Sequence, residues 1–159
     1  MIETIYFDMD GVLCDFDYQS QLYDIWKPEH KPDWKKVAQL CPDFFAKMPP
    51  IFNGLNLLKA VQYLEPQYHF QTKILSAIGI PNGKLGKRIW LKNNTSIKPE
   101  NVILLDNGKF KHLHATPNSL LIDDNINNVN NYIQAGFNAI LFDKSKPVKF
   151  YIDKILELL

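Results

Sequence analysis

Followed for apolar and polar positions, the chain shows five short apolar runs, each closed by a polar or glycine-containing turn. They are residues 2–7 (IETIYF), Gln71–Leu75, Asn101–Leu105, Ser119–Ile122 and Asn138–Phe142. Short runs of this kind suit strands buried on both faces. Stretches with helical spacing lie between them. Gly54–Leu64 carries Leu55, Leu58, Val61 and Gln62 on one face, and Gly83–Asn93 follows the second run. Ile126–Ala135 is closed by Gly136 as a C-cap. The C-terminal YIDKILELL reads as a closing amphipathic helix. Strands alternating with helices predict an α/β fold with a mostly parallel sheet and right-handed crossovers. Ligands in such sheets bind beyond the carboxyl ends of the strands.

Residues 15–52 break the alternation, with Trp26, Pro28, Pro32, Trp34, Phe44, Phe45, Pro49 and Pro50 among them. They read as a small helical insert, a lid over the strand ends. Residues 1–14 and 53–159 then form the core domain. A length of 159 residues fits one domain with a small appended module. Apolar residues make up 46% of the chain, enough for a packed core. The run Asn125–Asn131 is rich in asparagine, but Ile126 and Val129 keep helical spacing within it.

Charge narrows the choice of partner. Lys plus Arg number 18 against 17 Asp plus Glu, which argues against a long nucleic acid as ligand. Lys84, Lys87, Arg88 and Lys92 cluster in one stretch and read as a solvated helix face. Cys14 and Cys41 have no CxxC spacing, so neither a disulfide framework nor a thiolate zinc site is expected. His30, His69, His112 and His114 form no metal-ligand pattern. The N-terminus lacks the layout of a signal peptide. No apolar run approaches the roughly 20 residues of a membrane helix. The expected compartment is the cytoplasm, with no membrane partner.

The chemistry sits after the strands. Asp8 and Asp10 leave the first strand one residue apart, followed by Gly11, and alternate side chains of an extended chain share a face. Asp123 and Asp124 end the fourth strand. Where those strand ends are neighbours, four carboxylates converge, and such a crowd requires a cation or protons. Hard oxygen donors with room for water and a phosphate oxygen describe a magnesium site. Ser76 ends the second strand, where its hydroxyl and nearby N–H groups can hold a phosphate. A cation must offset phosphate charge; Lys111, with Lys109 close beside it, is the candidate.

FDMDGVLCDFD, the strand-ending Ser76, Lys111 and LLIDD resemble, in order, the four motifs of haloacid dehalogenase-type phosphohydrolases. The resemblance spans residues 4–142. With Phe44–Phe45 in CPDFFAKMPPIFNG, the chain is most similar to the 5'(3')-deoxyribonucleotidases and their short bacterial or phage relatives. It departs from them in following Ser76 with Ala77 and the acidic pair with Asn125. The resemblance implies a Rossmann-like fold, a parallel five-stranded sheet flanked by helices, with a small helical cap after the first strand. It implies Asp8 as the nucleophile that forms an aspartyl-phosphate, and Asp10 as general acid and then base. Mg2+ would be held by Asp8, the backbone carbonyl of Asp10, and Asp123 with Asp124; Ser76 and Lys111 would bind phosphate. Phe44 or Phe45 would either stack on a nucleobase or anchor the lid. The implied substrate is a small phosphorylated one, a nucleoside monophosphate. Other phosphomonoesters (a polynucleotide 3'-phosphate or a sugar phosphate) are the alternative. A catalytically silent binding protein and a receiver domain are the readings outside enzymes.

Overall fold

The computed structural model describes residues 1–28 and 31–159, so His30 lies outside the described residues. The central strand, β1 (Thr4–Phe7), is followed by three short helices: α1 (Phe16–Leu22), α2 (Trp34–Leu40) and α3 (Asp43–Ala46). The remainder alternates: α4 (Phe52–Tyr68), β2 (Gln71–Ala77), α5 (Gly83–Asn94), β3 (Val102–Leu105), β4 (Ser119–Asp123), α6 (Ile126–Gln134), β5 (Asn138–Leu141) and α7 (Val148–Leu156). Single-turn to two-turn 3-10 segments cover Pro99–Asn101 and Gly108–His114.

All four strand pairings are parallel, and the sheet order is β3-β2-β1-β4-β5. The winding therefore reverses between β1 and β4, where such sheets open a crevice at their carboxyl ends. In register, Phe7 stands opposite both Ile74 and Ile122. Strand alternation sorts the core onto two faces. Ile5, Phe7, Ile74, Leu120 and Ile122 point into the larger cluster with α4 and α7, while Tyr6, Leu75 and Leu121 meet Tyr132 of α6 behind the sheet. Burial of each such side chain contributes about 1.5–3 kcal/mol.

Helix ends follow the local chemistry. α6 starts at Asn125, whose side chain accepts from the Asn127 N–H. It ends with Gly136 at φ 89, where the Phe137 N–H reaches the Tyr132 carbonyl. That is the left-handed turn glycine supplies. α7 begins at Val148, three residues before the expected Tyr151 start, with Pro147 as its N-cap in an extended conformation. α4 runs past the expected Leu64 and through Pro66 to His69, which closes it at φ 58.

The insert leaves and returns at one place. The Asp15 N–H donates to the Pro49 carbonyl and the Ile51 N–H to the Leu13 carbonyl, at 2.8 Å each. Its interior is aromatic: Phe44 and Phe45 meet edge-on at 5.1 Å, with Phe16 against both. α5 holds it to the core, since the Trp90 indole N–H donates to the Met48 carbonyl at 2.7 Å. Among the described residues, no helix is long and apolar enough to cross a membrane.

Candidate active site

Because β1 and β4 are paired, the residues that follow them are neighbours. The Asp8 N–H donates to the Ile122 carbonyl at 2.9 Å, which locks the two strand ends together. Carboxylate oxygens of Asp8, Asp123 and Asp124 lie within 4.8 Å of one another, the one such ligand group among the described residues. Asp8 and Asp123 are buried, and Asp124 opens to solvent. Gly11, at φ 78, makes this closeness feasible. A Cβ there would stand 1.9 Å from Asp124 Oδ2, so any side chain would displace that carboxylate.

Lys111 lies between the two buried acids, with Nζ 2.8 Å from Asp8 Oδ2 and 2.6 Å from Asp123 Oδ2. Burial alone would lower its pKa, but Asp8 and Asp123 outweigh that and raise it. Lys109 is exposed, its ammonium over the Phe110 ring, so Lys111 is the lysine that meets the carboxylates. Asp123 is fully partnered: it also accepts from the Asn125 N–H at 2.8 Å and from the Asn128 amide. Burial and the nearby Asp8 raise its pKa. Among the described residues, none bonds to the Asp124 carboxylate in this way. Loss of water around its carboxylate, then the charges of Asp8 and Asp123, push its pKa up to about 8.

Asp10 points elsewhere. Its Oδ2 lies 2.7 Å from Lys87 Nζ, so its carboxylate stands outside the three-carboxylate group. A metal role for Asp10 would fall to its carbonyl alone. Burial raises the Asp10 pKa despite Lys87, and Asp8 adds to the rise. Ser76 is buried at the end of β2, its hydroxyl 3.2 Å from the same Lys87 ammonium.

These groups open onto a cleft of about 1040 Å³ lined by Asp8, Asp10, Ser76, Lys111 and Asp124. Phe16 from the insert and Asn107, Asn127 and Asn128 from the core also line it. Phe44 and Phe45, expected either to stack on a nucleobase or to anchor the lid, are fully buried and line no part of this cleft. Both pack into the aromatic interior of the insert, and of the insert's rings it is Phe16 that lines the cleft, with Phe142 lining it from the core. The anchoring role fits their burial; stacking on a ligand requires an accessible face.

No protein-family model matches the chain, and no curated protein matches it in sequence. Solved structures do share its architecture. A hydrolase from Pseudomonas syringae superposes with a TM-score of 0.57 at 13% identity, over 99% of this chain and 100% of that one. L-2-haloacid dehalogenase from Xanthobacter autotrophicus gives 0.54 at 14%, over 87% and 76%. A HAD family hydrolase from Deinococcus radiodurans, with bound phosphate and sodium, gives 0.54 at 16%, over 87% and 79%. The fold is the haloacid dehalogenase fold.

On this haloacid dehalogenase fold Lys87 is a further departure from the sequence expectation. Lys87 was grouped with Lys84, Arg88 and Lys92 on a solvated face, yet it is fully buried while the other three are exposed. The signal was present in the helical spacing. Gly83, Gly86, Lys87, Trp90 and Leu91 form one inward stripe, whereas Lys84, Arg88 and Lys92 follow each other at four-residue steps on the opposite face. Charge type alone pointed the wrong way, because buried lysines are rare without a partner. The described histidines stand outside the carboxylate group. Cys14 and Cys41 are free thiols, and Cys14 packs in the core 3.7 Å from Asp10.

Proposed function

We propose that the protein is a magnesium-dependent phosphomonoester hydrolase working through an aspartyl-phosphate on Asp8, with a nucleoside monophosphate as substrate. The observation that carries this reading is the division of charge at the strand ends. Four carboxylates stand beside two buried ammonium groups: Lys111 serves Asp8 and Asp123, Lys87 serves Asp10, and Asp124 is left over. With all four ionised, the deficit of two positive charges is what one divalent cation would balance. Asp8, Asp124 and the Asp10 carbonyl would hold it, with Asp123 steadying Lys111. All are hard oxygen donors suited to Mg2+. Bound there, the ion would neutralise charge that otherwise repels a carboxylate from a phosphate.

The residues supply the rest. An Asp8 oxygen attacks phosphorus, the bond to the ester oxygen breaks, and Asp10 gives that oxygen its proton. Water then attacks the aspartyl-phosphate and Asp10 takes the water proton back, releasing phosphate and Asp8. Splitting the displacement in two is what a carboxylate nucleophile contributes. The raised pKa of Asp10 favours the protonated form that the first step needs. Lys111 and Ser76 face the transferring group. Phe16 offers a ring to a nucleobase, and the asparagines that line the same cleft offer donors and acceptors. A phosphate and a sodium ion in the Deinococcus radiodurans hydrolase are consistent with the same pairing of ligands here.

Phosphate release from nucleoside monophosphates, sugar phosphates and a 3'-phosphorylated oligonucleotide tests the reading. Release in Mg2+, highest with a nucleoside monophosphate and reduced to background by chelator, is expected. Release indifferent to chelator, or none from any ester, would contradict it; preference for a sugar phosphate would move the substrate and leave the mechanism.

The metal reading has a pH signature. An Asp124 carboxyl titrating at about 8 in the metal-free protein must lose its proton to become a ligand. Its raised folded pKa also means that metal-free stability falls as pH rises from the ordinary carboxylate range through about 8. Both effects have one sign: the gain in melting temperature on adding Mg2+ is larger at roughly pH 8.5 than at roughly pH 6. An equal or smaller gain at the higher pH would remove Asp124 from the ligand set.

A further inference from the structure

We infer that Lys87 is a positioning residue for Asp10, holding that carboxyl apart from the cation ligands so that it remains available to the ester's leaving oxygen. The inference rests on the phosphomonoesterase reading above, because it assigns Asp10 the proton transfers.

Lys87 Nζ is enclosed, with Asp10 Oδ2 at 2.7 Å, Ser76 Oγ at 3.2 Å and the Ala77 carbonyl at 2.5 Å. An ammonium has three N–H donors, and three acceptors surround this one. It has none free for a phosphate, so it acts as a bracket within the protein rather than as a substrate cation. What it brackets matters. Asp8 and Asp10 leave β1 on one face, and the Asp8 carboxylate is already committed to Lys111 and the metal ligand group. A loose Asp10 carboxylate so close to that group would turn into it as one more ligand. Drawn to the β2 side by Lys87, it keeps its own place in the cleft.

The bracket is built into the contact between α5 and the insert. Gly83 and Gly86 let α5 approach α3: a Cβ on Gly83 would meet the Phe45 ring at 2.8 Å, and one on Gly86 the Pro42 carbonyl at 2.4 Å. The Phe45 ring closes over Lys87, its centroid 5.3 Å from Nζ. Lys87 thus has no room to swing, and Asp10 inherits that fixity.

Kinetics with two leaving groups separates positioning from structure. Wild type, Lys87→Met, Asp10→Asn and the double variant are compared on p-nitrophenyl phosphate, whose leaving group needs little protonation, and on the best alkyl phosphomonoester of the panel above. Lys87→Met is expected to lower kcat on the alkyl ester about 10²-fold with KM nearly unchanged, and to cost far less on the aryl ester. In the Asp10→Asn background it should add nothing, since it acts through a group already removed. Equal losses on both esters, a rise in KM alone, or a further loss in the Asp10→Asn background would overturn the inference while leaving the phosphatase reading intact. No release by wild type from any ester would overturn both. Thermal melts check folding; should Lys87→Met not fold, Lys87→Gln replaces it. Failure of both to fold would make Lys87 a folding residue and end the positioning role.

Discussion

Asp8→Asn is expected to cut phosphate release by at least about 10⁴-fold in the presence of Mg2+, while the protein stays folded. The loss follows from chemistry: an amide oxygen cannot form the aspartyl-phosphate, and water alone is a poor substitute in a site built for a two-step displacement. Retention of the fold follows from the surroundings. Asparagine can keep the bond that the Met9 N–H makes to Oδ1 at 2.7 Å. It loses the ion pair to Lys111, but Asp123 still holds that ammonium. It also removes the negative charge that raises the pKa values of Asp10, Asp123 and Asp124. The melting temperature without metal should therefore move by only a few degrees, about 1 kcal/mol or less. Phosphate release by Asp8→Asn within tenfold of wild type would displace Asp8 as nucleophile. Collapse of the fold would make its role structural.

Lys111→Met should show the reverse balance, a large loss of stability as well as of activity. The lysine is buried between Asp8 and Asp123, and its removal leaves two carboxylates facing each other out of water. Removing one partner of a buried pair costs about 3–5 kcal/mol, or roughly 10 °C in a chain of this size. The sign with pH can be worked out. The Asp123 pKa is raised in the folded state even with Lys111 present, and without it the proton is held more tightly. Folding then takes up a proton, so the deficit is largest at alkaline pH and shrinks as pH falls through the raised pKa. Mg2+ should restore part of the stability, because a cation can replace the missing ammonium, but not the activity. Chemical denaturation at two pH values with and without Mg2+ measures this. A Lys111→Met protein as stable as wild type at alkaline pH would mean that the pair contributes nothing.

Much of this site was visible in the chain because it is local. Asp8, Asp10 and Gly11 follow one strand within a few residues, and Asp123 and Asp124 end another. A run of buried strand ending in paired acids is an expensive arrangement without a cation, whatever the remainder of the fold does. Lys111 could be read as well as Lys109, and burial against Asp8 separates them. The role of Phe44 and Phe45 was not legible. Two adjacent aromatics look the same whether they line a cleft or fill a core; packing with Phe16, Tyr23 and each other encloses them. Phe16 carries no local signal, since its exposure to the cleft depends on where the insert lies.

Lys87 shows the boundary most clearly. Its helical phase was in the sequence, one turn before Trp90 and Leu91, but its partners are Asp10, far earlier in the chain, and Ser76 and Ala77 on a different strand. By itself the sequence determined the alternation of strands and helices, the strand ends where acids gather, and the chemistry those acids can support. These depend on periodicity and on residues close in the chain. The tertiary structure decided which strand ends meet, which lysine serves which carboxylate, and which aromatic ring faces the cleft. Those depend on contacts between distant segments, where burial and pairing, not residue type, determine what a side chain does.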